Sequence, residues 1–387
     1  MSYLRTYSVR KVFLFSFLVV MIILSIVIPT IIVRRKHKPI LIQSDGDFLK
    51  YNFLGSGTTE DPFIIENYEI KTDDFYAIAI GNVSKSFIIR NNHLQASRDG
   101  IFIAISSPDL LIITNNTFDG RENGIGVKIW DTSGCQIINN TFRNCGAGIG
   151  IMSLTSYTTW IECTIVNNTF INISQDAIFL FKINKAVIEN NRCMYDEGFE
   201  EGDYWKRGFY FARTGNITIK NNNLSNIGIT ILNYELETYL SHIVESNVIN
   251  GKEFGYFTNI KNETYYLTDY GQLYFVNCSF ISVENSFLEN CSLGINFAFC
   301  SNCSASWNSF TNDDYSGITV IGSKRIDLIW NFFDSNNYGL YIINSLEVDI
   351  FANTFKNNRY GCYIDNSTYN LADNDFLNNE VDTKIRD

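Results

Sequence analysis

The spacing of one short phrase limits what this chain can fold into. Twelve times between Asn92 and Asn374 it returns to two mostly aliphatic residues, a pair usually Asn-Asn, one variable residue, then Phe, Leu or Ile. Ile113-Thr114-Asn115-Asn116-Thr117-Phe118 and Ile137-Ile138-Asn139-Asn140-Thr141-Phe142 are clear copies. Anchored on the second Asn, the phrase falls at 92, 116, 140, 168, 191, 222, 247, 286 (a Ser), 308, 331, 353 and 374. A repeat of this length marks a solenoid, because one unit cannot bury its apolar face until neighbours stack on it.

A period of about 22 to 24 residues is too short for two-helix units and leaves leucine-rich repeats or a parallel β-helix. The apolar residues are Ile, Val and Phe without a helical period, which selects the β-helix. A second strand follows each phrase, as in Gly100-Ile101-Phe102-Ile103, Gly148-Ile149-Gly150-Ile151 and Gly339-Leu340-Tyr341-Ile342, and its alternation buries one side. Five residues before the anchor, Phe87, Leu111, Cys135, Cys163, Ala186, Ile217 and His242 form an inward column, continued by Ile281, Cys303, Ile326, Val348 and Tyr369. Two residues after it, Phe118, Phe142 and Phe170 form one aromatic stack and Phe310, Phe333, Phe355 and Phe376 another. The anchoring amides should bond from coil to coil as a ladder. Twelve coils at about 4.8 Å each give a rod of roughly 55 to 60 Å.

These repeats resemble the right-handed parallel β-helix repeat of the NosD-like and carbohydrate-binding/sugar-hydrolase (CASH) families over residues 45–387. Gly55-Ser56-Gly57-Thr58-Thr59-Glu60-Asp61-Pro62-Phe63 resembles their entry motif, and Gly271-Gln272-Leu273-Tyr274-Phe275 a second recurring piece. The resemblance implies the fold and leaves function open, because this architecture hosts lyases, hydrolases, epimerases, adhesins and accessory proteins. It also implies copper, yet the four Met are scattered and the three His do not pair. Three coils carry insertions, at 153–161, 194–207 and 251–272; the last reads as an ordinary elongated coil.

Residues 12–33 are mostly apolar and flanked by Arg5, Arg10 and Lys11 before and Arg34, Arg35, Lys36 and Lys38 after. As a helix the stretch reaches roughly 33 Å, enough to cross a bilayer. The expected organisation is a short tail (1–11), one transmembrane anchor (12–33), a basic linker (34–44) and the β-helix (45–387), with cleavage and secretion as the alternative. Basic residues flank both ends, so the positive-inside rule does not choose an orientation. Twelve Asn-x-Ser/Thr sequons, among them Asn82, Asn172, Asn262 and Asn366, favour a β-helix outside the cell. Residues 39–387 carry 23 basic and 41 acidic residues, a net charge of −18, which disfavours nucleic acid as a partner.

No catalytic set can be assigned. His37, His93 and His242 are the only histidines, and the pairs Asp73-Asp74 and Asp313-Asp314 have nothing in register to complete an acid/base site. The exposed aromatics point instead to sugar binding. Trp130, Trp160, Phe179, Trp205 and Tyr210 are expected on one side of the early coils, with Lys182 and Arg213 at matching offsets, and Trp307 and Trp330 one repeat apart as a second pair. Asp196, Glu200 and Asp203 in the second insertion are either a calcium site or a solvated acidic loop; no other cofactor is expected. Cys278 and Cys300 share one offset in adjacent coils, within disulfide reach. The expected protein is a membrane-anchored extracellular β-helix binding a glycan or cell-envelope polymer without converting it. The alternatives are a polysaccharide lyase, hydrolase or epimerase, and a structural spacer or adhesin.

Overall fold

The computed structural model describes residues 34–121, 123–154, 160–194, 207–266 and 270–386. The anchor expected at 12–33 lies outside these residues. No described helix is long and apolar enough to cross a membrane.

The chain from residue 36 onward is an all-β parallel solenoid of about 13 turns. A typical coil has three strands, such as Phe87–Arg90, His93–Gln95 and Asp99–Ala104. Each pairs in parallel with its counterpart one coil on; Phe118 sits over Phe142 and Cys135 over Cys163, the register that the repeat requires. The Phe columns stack as expected, with Phe118–Phe142 ring centroids 4.7 Å apart and Phe333–Phe355 4.9 Å apart. Glycine opens the third strand because that ring lies against it: a Cβ on Gly126 would come within 2.3 Å of Phe142.

The two Asn of the phrase have separate tasks. The first occupies a left-handed turn, with φ between 50° and 61° in every coil from Asn91 to Asp373, a conformation that Asn tolerates better than most residues. The second is buried and forms the ladder. The Asn116 side chain donates to Asn140 Oδ1 (3.0 Å) and to the Ile89 carbonyl (2.9 Å), and Asn140 repeats this with Asn168. Turn groups that cannot reach water are satisfied in this way.

The stack is not one uninterrupted rod. In the first half (Ile40 to Ile249) the third strands form an eight-stranded sheet ending at Ile229–Leu232, and the first strands another ending at Ile243–Glu245. The second strands belong to a 16-stranded sheet that runs on into the second half (Lys252 to Arg386), where it is continued by that half's third strands. The changeover is at Val248–Ile249, which pairs antiparallel with Lys252–Thr258. Asn250 (φ 52°) and Gly251 (φ 78°) link them, the dipeptide and left-handed pair that make a tight hairpin. Strand polarity in the shared sheet reverses there, and the side facing the core reverses with it. Leu273 and Phe275 point into the second core, whereas Tyr274 and Val276 on the same strand pack into the first.

That swap closes an exposed sheet edge. Side chains from the second half serve the backbone of Ile229–Leu232 and its approach: Gly228 N–H donates to Ser292 Oγ (2.9 Å), Ile229 N–H to Gln272 Oε1 (3.0 Å) and Ile231 N–H to the Tyr274 hydroxyl (3.1 Å).

Candidate ligand-binding corner

Past the end of the first half, the shared sheet carries a tyrosine face on which Tyr315 and Tyr363 are buried and Tyr338, Tyr341 and Tyr360 are half-buried. Its third strands Tyr338–Ile343 and Tyr360–Asp365 carry the same Tyr-Gly-x-Tyr segment, so parallel pairing aligns Tyr338 with Tyr360 and Tyr341 with Tyr363. Both pairs stack, at 5.1 and 5.2 Å between centroids, and Tyr315 meets Tyr341 edge-on at 5.4 Å. Arg359 lies 5.5 Å from the Tyr360 ring and Arg386 5.4 Å from that of Tyr363. Burial holds the Tyr315 and Tyr341 hydroxyls above their ordinary range, so they remain O–H groups at neutral pH.

The end of the first half supplies the other wall. Tyr234 follows the edge strand, is half exposed and carries the Arg213 guanidinium 5.8 Å from its ring. One coil earlier, Arg207 stacks 3.9 Å from the Tyr210 ring and holds Asp176 through two bonds, Nε to Oδ1 (2.9 Å) and Nη2 to Oδ2 (2.8 Å). Burial raises the Asp176 carboxyl, and the Arg207 charge opposes that rise. Tyr315 belongs to the first half's core cluster, and Tyr210, Tyr338 and Tyr341 all pack against that cluster, which brings the two walls to one core.

The residues expected from sequence divide into three groups. Phe179, Tyr210 and Trp130 do share the outer face of the first half's third-strand sheet: Phe179 stacks on Tyr210 at 5.6 Å, and Trp130 meets Phe102 edge-on at 5.0 Å with Lys128 4.6 Å above its ring. Lys128 in turn faces buried Asp99 at 3.8 Å; desolvation raises this carboxyl and lowers the amine. Lys182 and Arg213 occupy equivalent left-handed turns, Lys182 lying 5.3 Å from the Phe181 ring. Among the described residues no carboxylate pairs with either. Trp160 departs from the expectation, lying beyond the corner at the start of a first strand with its indole N–H donating to Glu162 (2.5 Å). Trp205 and the acids Asp196, Glu200 and Asp203 lie outside the described residues.

Cys278 and Cys300, whose shared offset allows a disulfide, are both buried and stand as free thiols in this structure. They fill places in a row at the corner between third and first strands that Ser323, Ser345 and Ser367 continue. Cys300 N–H donates to Ser323 Oγ (2.9 Å), and each thiol reaches a carbonyl as the serines do, Cys278 that of Val276 (3.2 Å) and Cys300 that of Phe275 (3.2 Å). Sequence reading missed the Tyr floor and Asp176, the buried partner of Arg207. The repeated Tyr-Gly-x-Tyr was visible, but its outward face gained meaning only from the hairpin swap.

Residues 53–191 and 126–264 match the family described as right handed beta helix region, together more than half of the chain. The chain belongs to the right-handed β-helix family. Residues 236–387 of this β-helix protein also match the description "periplasmic copper-binding protein (NosD)". No curated protein matches it in sequence. A mutant of the periplasmic alginate epimerase AlgG is 12% identical over 89% of this chain and 83% of its own, at a TM-score of 0.33. The A-module of the Azotobacter vinelandii mannuronan C-5 epimerase AlgE4 gives 12%, 87%, 96% and 0.30. A tailspike mutant of E. coli bacteriophage HK620, solved with a pentasaccharide, gives 11%, 81%, 68% and 0.29.

Among the described residues the donors do not gather as copper would require. His242 has both ring nitrogens in hydrogen-bond contact, with Ile217 N–H and the Asn233 amide, and Met152 and Met194 sit on strands of different sheets. Among the described residues no three of His, Cys, Asp and Glu are grouped to hold a metal ion.

Proposed function

We propose that this protein is a membrane-anchored β-helix, held by residues 12–33 with its solenoid outside the cell, that binds a glycan or cell-envelope polymer at the corner without converting it. The observation carrying this reading is the pair of aromatic walls: ring faces stacked in register on the Tyr floor, and rings backed by guanidinium groups at Tyr210 and Tyr234. Sugars stack their apolar faces on such rings, while hydroxyl and guanidinium groups fix orientation. Calcium at Asp196, Glu200 and Asp203 remains part of the proposal as an aid to binding.

A second reading follows from Asp176, Arg207 and Tyr210, a carboxylate, a cation and a phenol joined in one contact chain. Such a set would suit a polysaccharide lyase or epimerase, which removes a proton beside a uronate carboxylate. The full chain on a polysaccharide panel, with and without calcium, separates the two. Binding without new reducing ends, unsaturated uronates or epimerised residues is the expected outcome. Turnover that disappears in Tyr210→Phe would replace the first reading with the second.

A further inference from the structure

We propose that the outer face of the second half's first strands is a second saccharide site, separate from the corner, that takes a polymer of amino sugars with free amines. The strands Ser301–Ser306, Lys324–Ile329 and Leu346–Phe351 lie side by side in parallel. Their polar stretches line a surface cavity of about 680 Å³, with Asn302, Ser304, Arg325, Asp327, Asp349 and Asn370 on its walls. Their far ends carry Trp307, Trp330 and Phe351, so a polar groove runs into an aromatic rim.

The rim faces solvent. Trp307 and Trp330 are 55% and 47% exposed and Phe351 38%, so these rings add little to the core. Both indoles occupy the left-handed turn slot that Asn fills in most coils, at a backbone cost that Asn would not carry. Their centroids are 4.2 Å apart, which joins them into one apolar platform across two coils. Sugars stack their apolar faces on such rings. Three residues of extended backbone, about 10 Å, separate Trp330 from Asp327, so a short oligosaccharide covers platform and groove together.

The groove selects the charge of the ligand. Ser304, Asp327, Asp349 and Asn370 stand in one row, one per coil. Asp327 and Asp349 are both exposed and face each other across one strand spacing, about 4.8 Å, where like charges repel. Lys324 engages Glu347 (3.1 Å), whereas among the described residues neither aspartate pairs with a cation, Arg325 included. An ammonium group between the two carboxylates removes that repulsion through charge-assisted hydrogen bonds. Asn302, Ser304 and Asn370 offer donors and acceptors to the sugar hydroxyls beside it. An acetylated amine or a neutral hydroxyl cannot supply the charge, and a uronate carboxylate adds to the repulsion.

The test is calorimetric titration of the full chain, at about 0.15 M salt, with hexamers of glucosamine, N-acetylglucosamine and glucose, and with spermine as an amine without rings. The glucosamine hexamer should bind at least about tenfold more tightly than each of the others. Asp327→Asn combined with Asp349→Asn should remove that preference, and Trp330→Asn should weaken the glucosamine hexamer by roughly tenfold. Asn already fills these places, at Asn370 in the row and Asn285 in the turn slot, so both variants retain the fold, checked by their melting. Tyr341→Ala should bind this hexamer like the parent, which separates the groove from the corner. Equal affinities for the three hexamers, spermine binding as tightly as the glucosamine hexamer, parental affinity in either groove variant, or a loss in Tyr341→Ala would overturn the proposal.

Discussion

The two halves of the solenoid turn the same three strands into coils but hold their corners differently. The first half relies on the Asn ladder from Asn92 to Asn247 and a hydroxyl row including Ser106, Thr132 and Thr214. The second repeats that ladder from Asn308 to Asn374 and adds another at the next corner, where Asp313 N–H donates to Asn336 Oδ1 (2.8 Å) and Asn336 N–H to Asn358 Oδ1 (3.0 Å). Its anchors are spaced 21 to 23 residues apart, whereas the first half's steps stretch to 28 and 31 where insertions interrupt it. A doubly laddered half gives a regular face on which identical Tyr pairs align. The interrupted half supplies the charged groups and the wall. Neither half contains the corner alone.

The largest effect that tests this contrast is removal of a ladder amide. Asn168→Ala would leave Asn140 N–H and the Asn140 side-chain amide without their acceptor and free the Ile137 carbonyl. At about 1–3 kcal/mol per buried unsatisfied group, we expect a loss of about 3 kcal/mol or more by chemical denaturation. Asn358→Ala in the second half's extra ladder should cost less, because the Asn308–Asn374 ladder still holds each coil; equal losses would break the comparison.

The halves should also respond oppositely to pH. Burial lowers His242, in the first half, from 6.5 to about 4, so the unfolded chain binds more protons than the folded one between those values. Stability present above pH 6.5 is therefore lost as pH falls toward 4, by about 3 kcal/mol, and His242→Gln should flatten that decline in melting curves. Asp313, in the second half, is pushed well above the carboxylate range by burial. The folded chain then holds the proton more tightly, so stability is full below the unfolded value near 3.8 and declines as pH rises toward the folded one. Asp313→Asn, which mimics the protonated carboxyl and matches Asn336, should stabilise at pH 7 and have little effect at pH 4. A benefit that does not depend on pH would show that Asp313 is not protonated in the fold.

The smallest effect concerns strain. Trp307 and Trp330 fill the left-handed turn slot that Asn fills elsewhere, with φ of 61° and 55°, and their exposed rings lie 4.2 Å apart. Trp330→Asn relieves a backbone cost of about 1–2 kcal/mol and gives up a ring pair of about 0.5–1.5 kcal/mol. A net gain under about 1 kcal/mol is expected from these opposing terms, and a clear loss would assign the pair a structural role.

Most of the fold was legible because its signals are local and repeated. The Phe columns, the inward rows and the buried Asn ladder all follow from aligning one phrase. The break between the halves was equally written, as Asn250-Gly251, but it stood inside a stretch whose aromatic content fits an elongated coil. One hairpin there reverses which side of a sheet is inside, and a period cannot report that. The site was legible only in part for the same reason. Phe179, Tyr210 and Arg213 could be placed on a face by counting residues, whereas the packing of Tyr210 against the same core as Tyr315 and Tyr341 depends on how the two halves join.

The most direct test is the affinity of the full chain for the polysaccharide it retains best, measured for Tyr210→Ala, Tyr341→Ala and Trp160→Ala alongside the parent. If the ligand lies in the corner, the first two, one from each half, weaken binding by roughly tenfold while melting is unchanged, and Trp160→Ala binds like the parent. Parental affinity in both tyrosine variants, or loss in Trp160→Ala alone, would contradict a site built where the two halves meet.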